Sequence, residues 1–165
     1  MKKALSASLC LFSLFICLLS LSCSEKASLL EYQKGDFTLS ATLYLKESGN
    51  EYEISVSKSC TEGTLSLCFE QGQSLDTVSF VMKDNKVSAF CGGDSYGEGE
   101  YPLIHSALSL FDLKEEDFIS AETDTAGQTK LNLLTFKNGV SLTFAKDVKL
   151  PLILENGELR IKVRV

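Results

Sequence analysis

Apolar and polar residues alternate with a period of two in five successive runs of the chain. The runs cover residues 37–45, 52–56, 65–69, 76–82 and 86–91, and short polar segments separate them. Such alternation is typical of strands that bury one face. Because connections this short cannot contain the crossover that parallel strands need, the pattern predicts an antiparallel meander.

The period changes in the middle of the chain. Residues 92–102 read GGDSYGEGEYP, a glycine-rich stretch without alternation that we expect to be a mobile connector. Pro102 suits the first turn of a helix. Apolar residues then recur at intervals of three and four, which predicts a short amphipathic helix from Pro102 to Phe111. We expect this helix to cover the apolar face of the sheet, with residues 92–101 as its hinge.

Period two returns after the helix. The later runs cover residues 117–123, 129–136, 140–145, 150–155 and 158–165. Two Asn-Gly pairs, at 138–139 and 156–157, are strong hairpin signals because both residues tolerate the positive φ of tight turns. The chain is thus predicted to be mostly β, in the α+β class, with about ten antiparallel strands and one short covering helix.

The apolar positions of the first strands and of the helix predict one continuous apolar face. One short helix is little cover for about ten strands, so either the sheet curls into a packed core or part of the face is left for a ligand. The candidate hydrophobic ligand face consists of Phe37, Leu39, Leu43, Ile54, Val56, Leu65, Leu67, Phe69, Val78, Phe80, Leu103, Leu108 and Phe111.

The chain opens with two lysines and a long uncharged leader. Residues 4–24 are rich in Leu, Phe, Ile and Ser, the pattern of a secretory signal peptide. Ser20 and Ser22 come just before Cys23, and the stretch resembles a bacterial lipobox, in which the cysteine receives a diacylglyceryl group and becomes the N-terminus. A lipobox usually has Leu where this chain has Ser20, so secretion without lipid and an uncleaved anchor stay open as alternatives.

These observations divide the chain into a signal peptide (1–22), a lipidated N-terminus with linker and short helix (23–35), and a β domain (36–165). Cleavage removes two of sixteen basic residues and leaves fourteen against twenty-two acidic ones, a net charge of −8. An acidic domain binds nucleic acid poorly and is repelled by anionic headgroups. An acyl anchor at Cys23 therefore explains a place on the extracytoplasmic side of the cell membrane better than a basic patch.

Motifs for catalysis are missing from the sequence. His105 is the single histidine, and neither G-x-S-x-G nor H-E-x-x-H occurs. Asp94, Glu98 and Glu100 raise the possibility of calcium, but their spacing is not that of an EF-hand. We therefore expect no enzyme activity, no metal and no cofactor.

Three cysteines remain after the leader and Cys23, namely Cys60, Cys68 and Cys91. In a meander, Cys68 and Cys91 lie on strands separated by a third strand, and Cys60 lies at a turn. A disulfide needs α-carbons within about 7 Å, whereas alternate strands are roughly 10 Å apart. All three are predicted to be free thiols.

The order of elements resembles the LolA/LolB-like lipoprotein-localisation fold, and in particular small uncharacterised lipoproteins of clostridia and related Gram-positive bacteria. The stretches that carry the resemblance are GDFTLSATLYL, EGTLSLCFEQGQSLDTVSFVMKDNKVSAF, YPLIHSALSLF and VSLTFAKDVKLPLILENGELRIKV. They cover most of residues 27–165. The resemblance implies a half-barrel, in which one strongly curved antiparallel sheet surrounds a hydrophobic concavity.

The resemblance also implies a protein that binds or carries a hydrophobic or acylated small molecule, such as a lipid. The chain has no Trp, and its first seven predicted strands have no Arg, so no transfer residues are carried over. The alternative is a surface protein-interaction module with a closed core, no ligand and an unknown protein partner.

Overall fold

The computed structural model describes residues 30–70, 77–127, 129–146 and 148–164. Within them, eleven strands form one antiparallel sheet. The strands are β1 Phe37–Leu45, β2 Glu51–Ser59, β3 Thr64–Phe69, β4 Val78–Lys83, β5 Lys86–Cys91, β6 Asp94–Gly99, β7 Phe118–Ala126, β8 Thr129–Phe136, β9 Ser141–Ala145, β10 Ile153–Glu155 and β11 Leu159–Val163. The helix α1 spans Pro102–Ser109, and 3-10 turns span Glu31–Lys34, Glu115–Asp117 and Lys137–Gly139.

The strand order is β6-β5-β4-β3-β2-β1-β11-β10-β9-β8-β7, so the first and last strands of the chain lie side by side at the centre. Ala41 of β1 pairs with Ile54 of β2 on one side and with Val163 of β11 on the other. The sheet does not close, and β6 and β7 form its edges. The predicted fold class, a curved antiparallel sheet of about ten strands with a short covering helix, is confirmed.

The expectation of a mobile connector before the helix is wrong for residues 94–99. These residues form β6, which pairs with β5 from Cys91 to Val87 with one register shift. Gly92 and Gly93, at φ of 60° and 95°, make the tight turn that brings the two strands together. The side chains of β6 are exposed or half-buried and show no apolar alternation, so the pairing depends on backbone hydrogen bonds. Residues 94–99 are therefore not a free hinge.

The core lies on one face of the sheet and draws on both halves of it. Ile54, Val56 and Leu67 from the first half are fully buried, as are Phe144 and Ile161 from the second. Period-two burial in β1, β3, β9 and β11 matches the alternation of their sequences. The prediction that apolar alternation marks the buried face is confirmed for these strands.

The first described residues belong to this core. Leu30 is buried, and the Tyr32 ring lies 6.0 Å from that of Phe37 and 6.3 Å from that of Phe144. Burial raises the pKa of the Tyr32 phenol well above its usual range, although a hydrogen bond from Gln33 opposes the shift. The leader, Cys23 and residues 24–29 of the predicted linker and short helix (23–35) lie outside the described residues. No helix in the described part of the chain is long and apolar enough to cross a membrane.

Leu108 gives a direct test of how tightly α1 packs on the sheet. Its side chain is fully buried, whereas Leu103 on the same helix is 45% exposed. Leu108→Ala leaves a cavity and is expected to lower the free energy of unfolding by about 2–5 kcal/mol. The matched control Leu103→Ala should change it by less than about 0.5 kcal/mol. Urea denaturation measures both, and equal losses would contradict the packing.

Candidate functional site

Helix α1 lies against the apolar face of β3, β4 and β5. Pro102 begins the helix at a position where a missing N–H leaves no hydrogen bond unmade. Ala107 and Leu108 point into the core. Just beyond the helix, the Phe111 ring packs 6.0 Å from the ring of Phe37 in β1. The helix and the residues after it therefore cover the centre of the sheet.

The predicted ligand face comes together in space but is largely filled by its own side chains. Its buried members are Leu39, Leu43, Ile54, Val56, Leu65, Leu67, Phe69, Phe80, Leu108 and Phe111. Phe37 and Val78 are half-buried and pack against this cluster. In this conformation, most of these positions contact one another rather than open space.

Leu103 does not share that face. Successive helical residues are rotated by about 100°, which places Leu103 roughly 90° from the middle of the face formed by Ile104, Ala107 and Leu108. Its side chain is exposed. The inclusion of Leu103 in the predicted ligand face is therefore corrected, because the spacing of three and four residues alone did not fix the centre of the apolar stripe.

An aromatic row runs across the first half of the sheet. The rings of Tyr52, Phe69, Phe80 and Tyr101 follow one another at centroid distances of 5.7, 6.5 and 5.2 Å, each pair edge-to-face. The two phenylalanines are buried, whereas the tyrosines at the ends are half-buried. The row thus connects the core to the segment that begins α1.

Two neighbouring polar side chains fasten α1 to opposite halves of the sheet. His105 Nε2 donates to Asn85 Oδ1 at 2.8 Å, and Asn85 lies in the β4–β5 turn with a φ of 63°. Asn156 Nδ2, in the β10–β11 turn, donates to Ser106 Oγ at 2.8 Å. The helix is therefore a bridge between the two halves as well as a cover.

Two surface clefts flank the helix. The edge cleft has a volume of about 550 Å³ and lies beside β5 and β6, where Val87, Tyr101 and Pro102 are part of its lining. Its rim carries an ion pair between Lys86 and Glu98, with a distance of 3.1 Å. A Cβ at Gly99 would come within 2.9 Å of the Tyr101 ring, so the missing side chain at this position leaves room for that ring beside the strand.

The turn cleft has a volume of about 580 Å³ and lies on the other side of α1, against the 137–139 and 156–158 turns. Its floor includes the fully buried Leu110 and Phe136 and the half-buried Leu113 and Val140. Polar side chains surround this floor. His105 contributes to both clefts, so the two meet at the helix.

The structure separates the other candidate residues. Among the described residues, no group of three or more His, Cys, Asp or Glu side chains is placed to hold a metal ion. Cys60, Cys68 and Cys91 are free thiols. Cys68 pairs with Ser79 of β4, while Cys91 pairs with Val78 of the same strand, as the predicted strand order requires.

Sequence reasoning missed most of the cleft residues. The sequence marks Asn156 only as part of a hairpin turn and His105 only as the single histidine, and it gives no functional signal for Asn85. Their contacts with α1 span 20 and 50 residues of sequence. Periodicity reports which face a side chain occupies, but it carries no signal for such distant pairs.

Comparisons with known proteins give no family for this chain. No protein-family model matches it, and no curated protein matches it. Among solved structures, an uncharacterised conserved protein from Thermus thermophilus is similar over 86% of this chain and 84% of its own, with 12% identity and a TM-score of 0.49. Function has to be argued from the site itself.

The two side-chain hydrogen bonds of α1 can be removed separately. Asn85→Gly keeps the positive φ of its turn, and Ser106→Ala keeps helix propensity. Each variant loses one net hydrogen bond, so the opening free energy of the helix should fall by about 0.5–1.5 kcal/mol. Native-state hydrogen exchange of the α1 amides measures this.

Thr123→Ala is the matched control, because it removes a side-chain hydrogen bond between β7 and β8, remote from the helix. It should leave exchange in α1 unchanged. If α1 exchanges at the wild-type rate in both helix variants, these two bonds do not hold the helix.

Proposed function

We propose that this chain is an extracytoplasmic protein, held at the membrane by an acyl anchor on Cys23, that binds an apolar or acylated small molecule beside helix α1. The observation that carries the proposal is the thin cover of the apolar face. One eight-residue helix lies over the face of an unclosed eleven-stranded sheet, and clefts open along both of its sides. No catalytic step is part of the proposal.

The dimensions of the clefts support a small ligand. Volumes of about 550 and 580 Å³ fall within the range of about 300–1,000 Å³ that small-molecule sites occupy. The lining of the turn cleft combines apolar side chains that belong to the core or pack against it with polar side chains from α1 and the turns. An apolar chain that enters there would extend the contacts of the core.

The anchor would keep the domain close to the bilayer. Seven residue steps separate Cys23 from Leu30, which is buried in the core. At about 3.6 Å per residue, they span at most about 25 Å. Lipid on Cys23 would therefore hold the apolar face within reach of a membrane that supplies or accepts acylated molecules.

A protein-interaction module is the second candidate, because the close packing of the predicted ligand face favours it. The core beneath α1 includes fully buried Leu67, Leu108 and Phe111. The large exposed apolar side chains include Tyr96 on β6 and Ile119 on β7, both on edge strands. A partner that pairs with an edge would use these residues and leave the clefts empty.

Lipidation at Cys23 has a direct test. The mature protein should begin at Cys23 and carry a diacylglyceryl group, because two acyl chains, at about 0.8 kcal/mol per buried methylene, hold a protein stably where one chain exchanges. Cys23→Ala should move the domain from the membrane to the soluble fraction or stop its processing. The control variant Cys60→Ala, which removes an exposed thiol of the domain, should remain in the membrane fraction. Intact-mass analysis that finds the leader in place, or an unmodified N-terminal cysteine, would refute the anchor.

Ligand binding is tested with a fluorescent fatty-acid analogue. The soluble domain should bind it saturably, and Ser109→Trp, which places a large side chain in the turn cleft, should weaken binding by roughly tenfold, equivalent to about 1.4 kcal/mol. Ser88→Trp makes the same change on the opposite face of β5 and should have no effect. Absence of saturable binding by the wild type favours the interaction module, and equal weakening by both variants contradicts the position of the site.

A further inference from the structure

The rim of the turn cleft carries both signs of charge, and most of these charges neutralise one another. Asp112 pairs with Lys58 at 3.2 Å, and Asp117 pairs with Lys137 at 3.2 Å. Lys137 Nζ also donates to the carbonyl oxygen of Glu116 at 3.0 Å. These groups have their partners already and have little capacity left for a ligand.

Two charged side chains of the rim have no such partner. Within the described residues, neither Lys114 nor Glu158 forms an ion pair. They belong to different segments, since Lys114 follows the helix whereas Glu158 lies in the β10–β11 turn. The cleft therefore offers one free ammonium and one free carboxylate.

Two hydroxyl groups of α1 add hydrogen-bonding capacity to the same cleft. Ser106 Oγ accepts from Asn156, so its own hydroxyl proton stays available for a ligand. Ser109 Oγ lies 3.5 Å from His105 Nδ1, a long contact that a better acceptor can replace. The lining of the cleft also includes Leu113 and Val140, half-buried apolar side chains that suit an aliphatic chain.

We propose that the turn cleft recognises the headgroup of a zwitterionic amphiphile, with Lys114 at the acidic group, Glu158 at the ammonium, and the aliphatic chain over Leu113 and Val140. This inference rests on the proposed function and names its ligand class. Two oppositely charged side chains discriminate against a ligand that carries only one charge. With such a ligand, one of the two side chains meets a like charge or stays unpaired.

The edge cleft is the weaker candidate for a headgroup. Its Lys86 and Glu98 pair with each other, and the remaining charge in its lining is the carboxylate of Glu100. It lacks a free cation for an acidic group. The difference between the two clefts makes the assignment to one side of α1 testable.

Isothermal titration calorimetry with four soluble amphiphiles whose aliphatic chains have the same length, below their micelle concentrations, tests the proposal. They are a zwitterionic lysophosphatidylethanolamine, an anionic fatty acid, a cationic alkylamine and a neutral monoacylglycerol. The zwitterion should bind roughly tenfold more tightly than the neutral lipid, through two charge-assisted contacts at an exposed rim. Lys114→Gln should weaken binding of the zwitterion and of the fatty acid by roughly two- to fivefold.

Glu158→Gln distinguishes the role of the carboxylate from that of the Lys114 ammonium. It should weaken binding of the zwitterion by a similar factor. It should strengthen binding of the fatty acid, because the carboxylate of Glu158, which repels the carboxylate of the fatty acid, is removed. Neither variant should change the affinity for the neutral lipid. Lys162→Gln and Glu62→Gln, at exposed positions on β11 and in the β2–β3 turn, are the matched controls and should bind all four lipids as the wild type does.

The outcomes distinguish this inference from the proposed function. Equal binding of the zwitterionic and neutral lipids, unchanged in both variants, overturns headgroup recognition while apolar binding stands. Equal binding of the zwitterion and the fatty acid, together with no effect of Glu158→Gln, also overturns headgroup recognition. The cleft then recognises only the acidic group. If none of the four lipids binds, both proposals fail.

Discussion

The structure depends on covering one apolar face that is larger than any single element of the chain. Within the antiparallel sheet, β1 to β5 and β8 to β11 place buried side chains on that face, and one short helix lies over it. Curvature supplies the rest of the cover, because residues from both halves of the sheet meet in one core. Tyr32 near β1 reaches Phe144 of β9, and Phe111 beyond the helix reaches Phe37. The apolar contacts that fold the chain thus also fix the position of the helix.

The proposed function depends on what this cover leaves open. Helix α1 leaves a cleft along each of its sides. His105 and Ser106 hold the helix to turns from opposite halves of the sheet. The polar contacts thereby position the clefts, and the apolar core supplies the floor of one of them. In the proposed account, an amphiphile uses this floor for its chain and the unpaired charges of the rim for its headgroup.

The sequence predicted the elements that depend on local pattern and missed those that depend on distant pairing. Alternation in FTLSATLYL gave the bounds of β1, and Pro102 marked the start of α1 correctly. The strand β6 escaped notice because DSYGEG has no apolar face to reveal it, and its place comes from backbone pairing with β5. The clefts were invisible for a related reason. Asn156 and Ser106 are fifty residues apart, and the contact between them exists only once the whole sheet has formed.

The central claim is that an amphiphile binds beside α1 on the covered face of the sheet. NMR of the soluble domain with a spin-labelled fatty acid tests it most directly, since the label broadens the amide signals nearest to it. The account predicts broadening in α1, in residues 110–114 and in the 137–139 and 156–158 turns. Amides of Thr42 and Lys162, whose side chains lie on the outer face of the central strands, should stay sharp. Broadening centred on the edge strands β6 and β7, or broadening nowhere, would contradict the account.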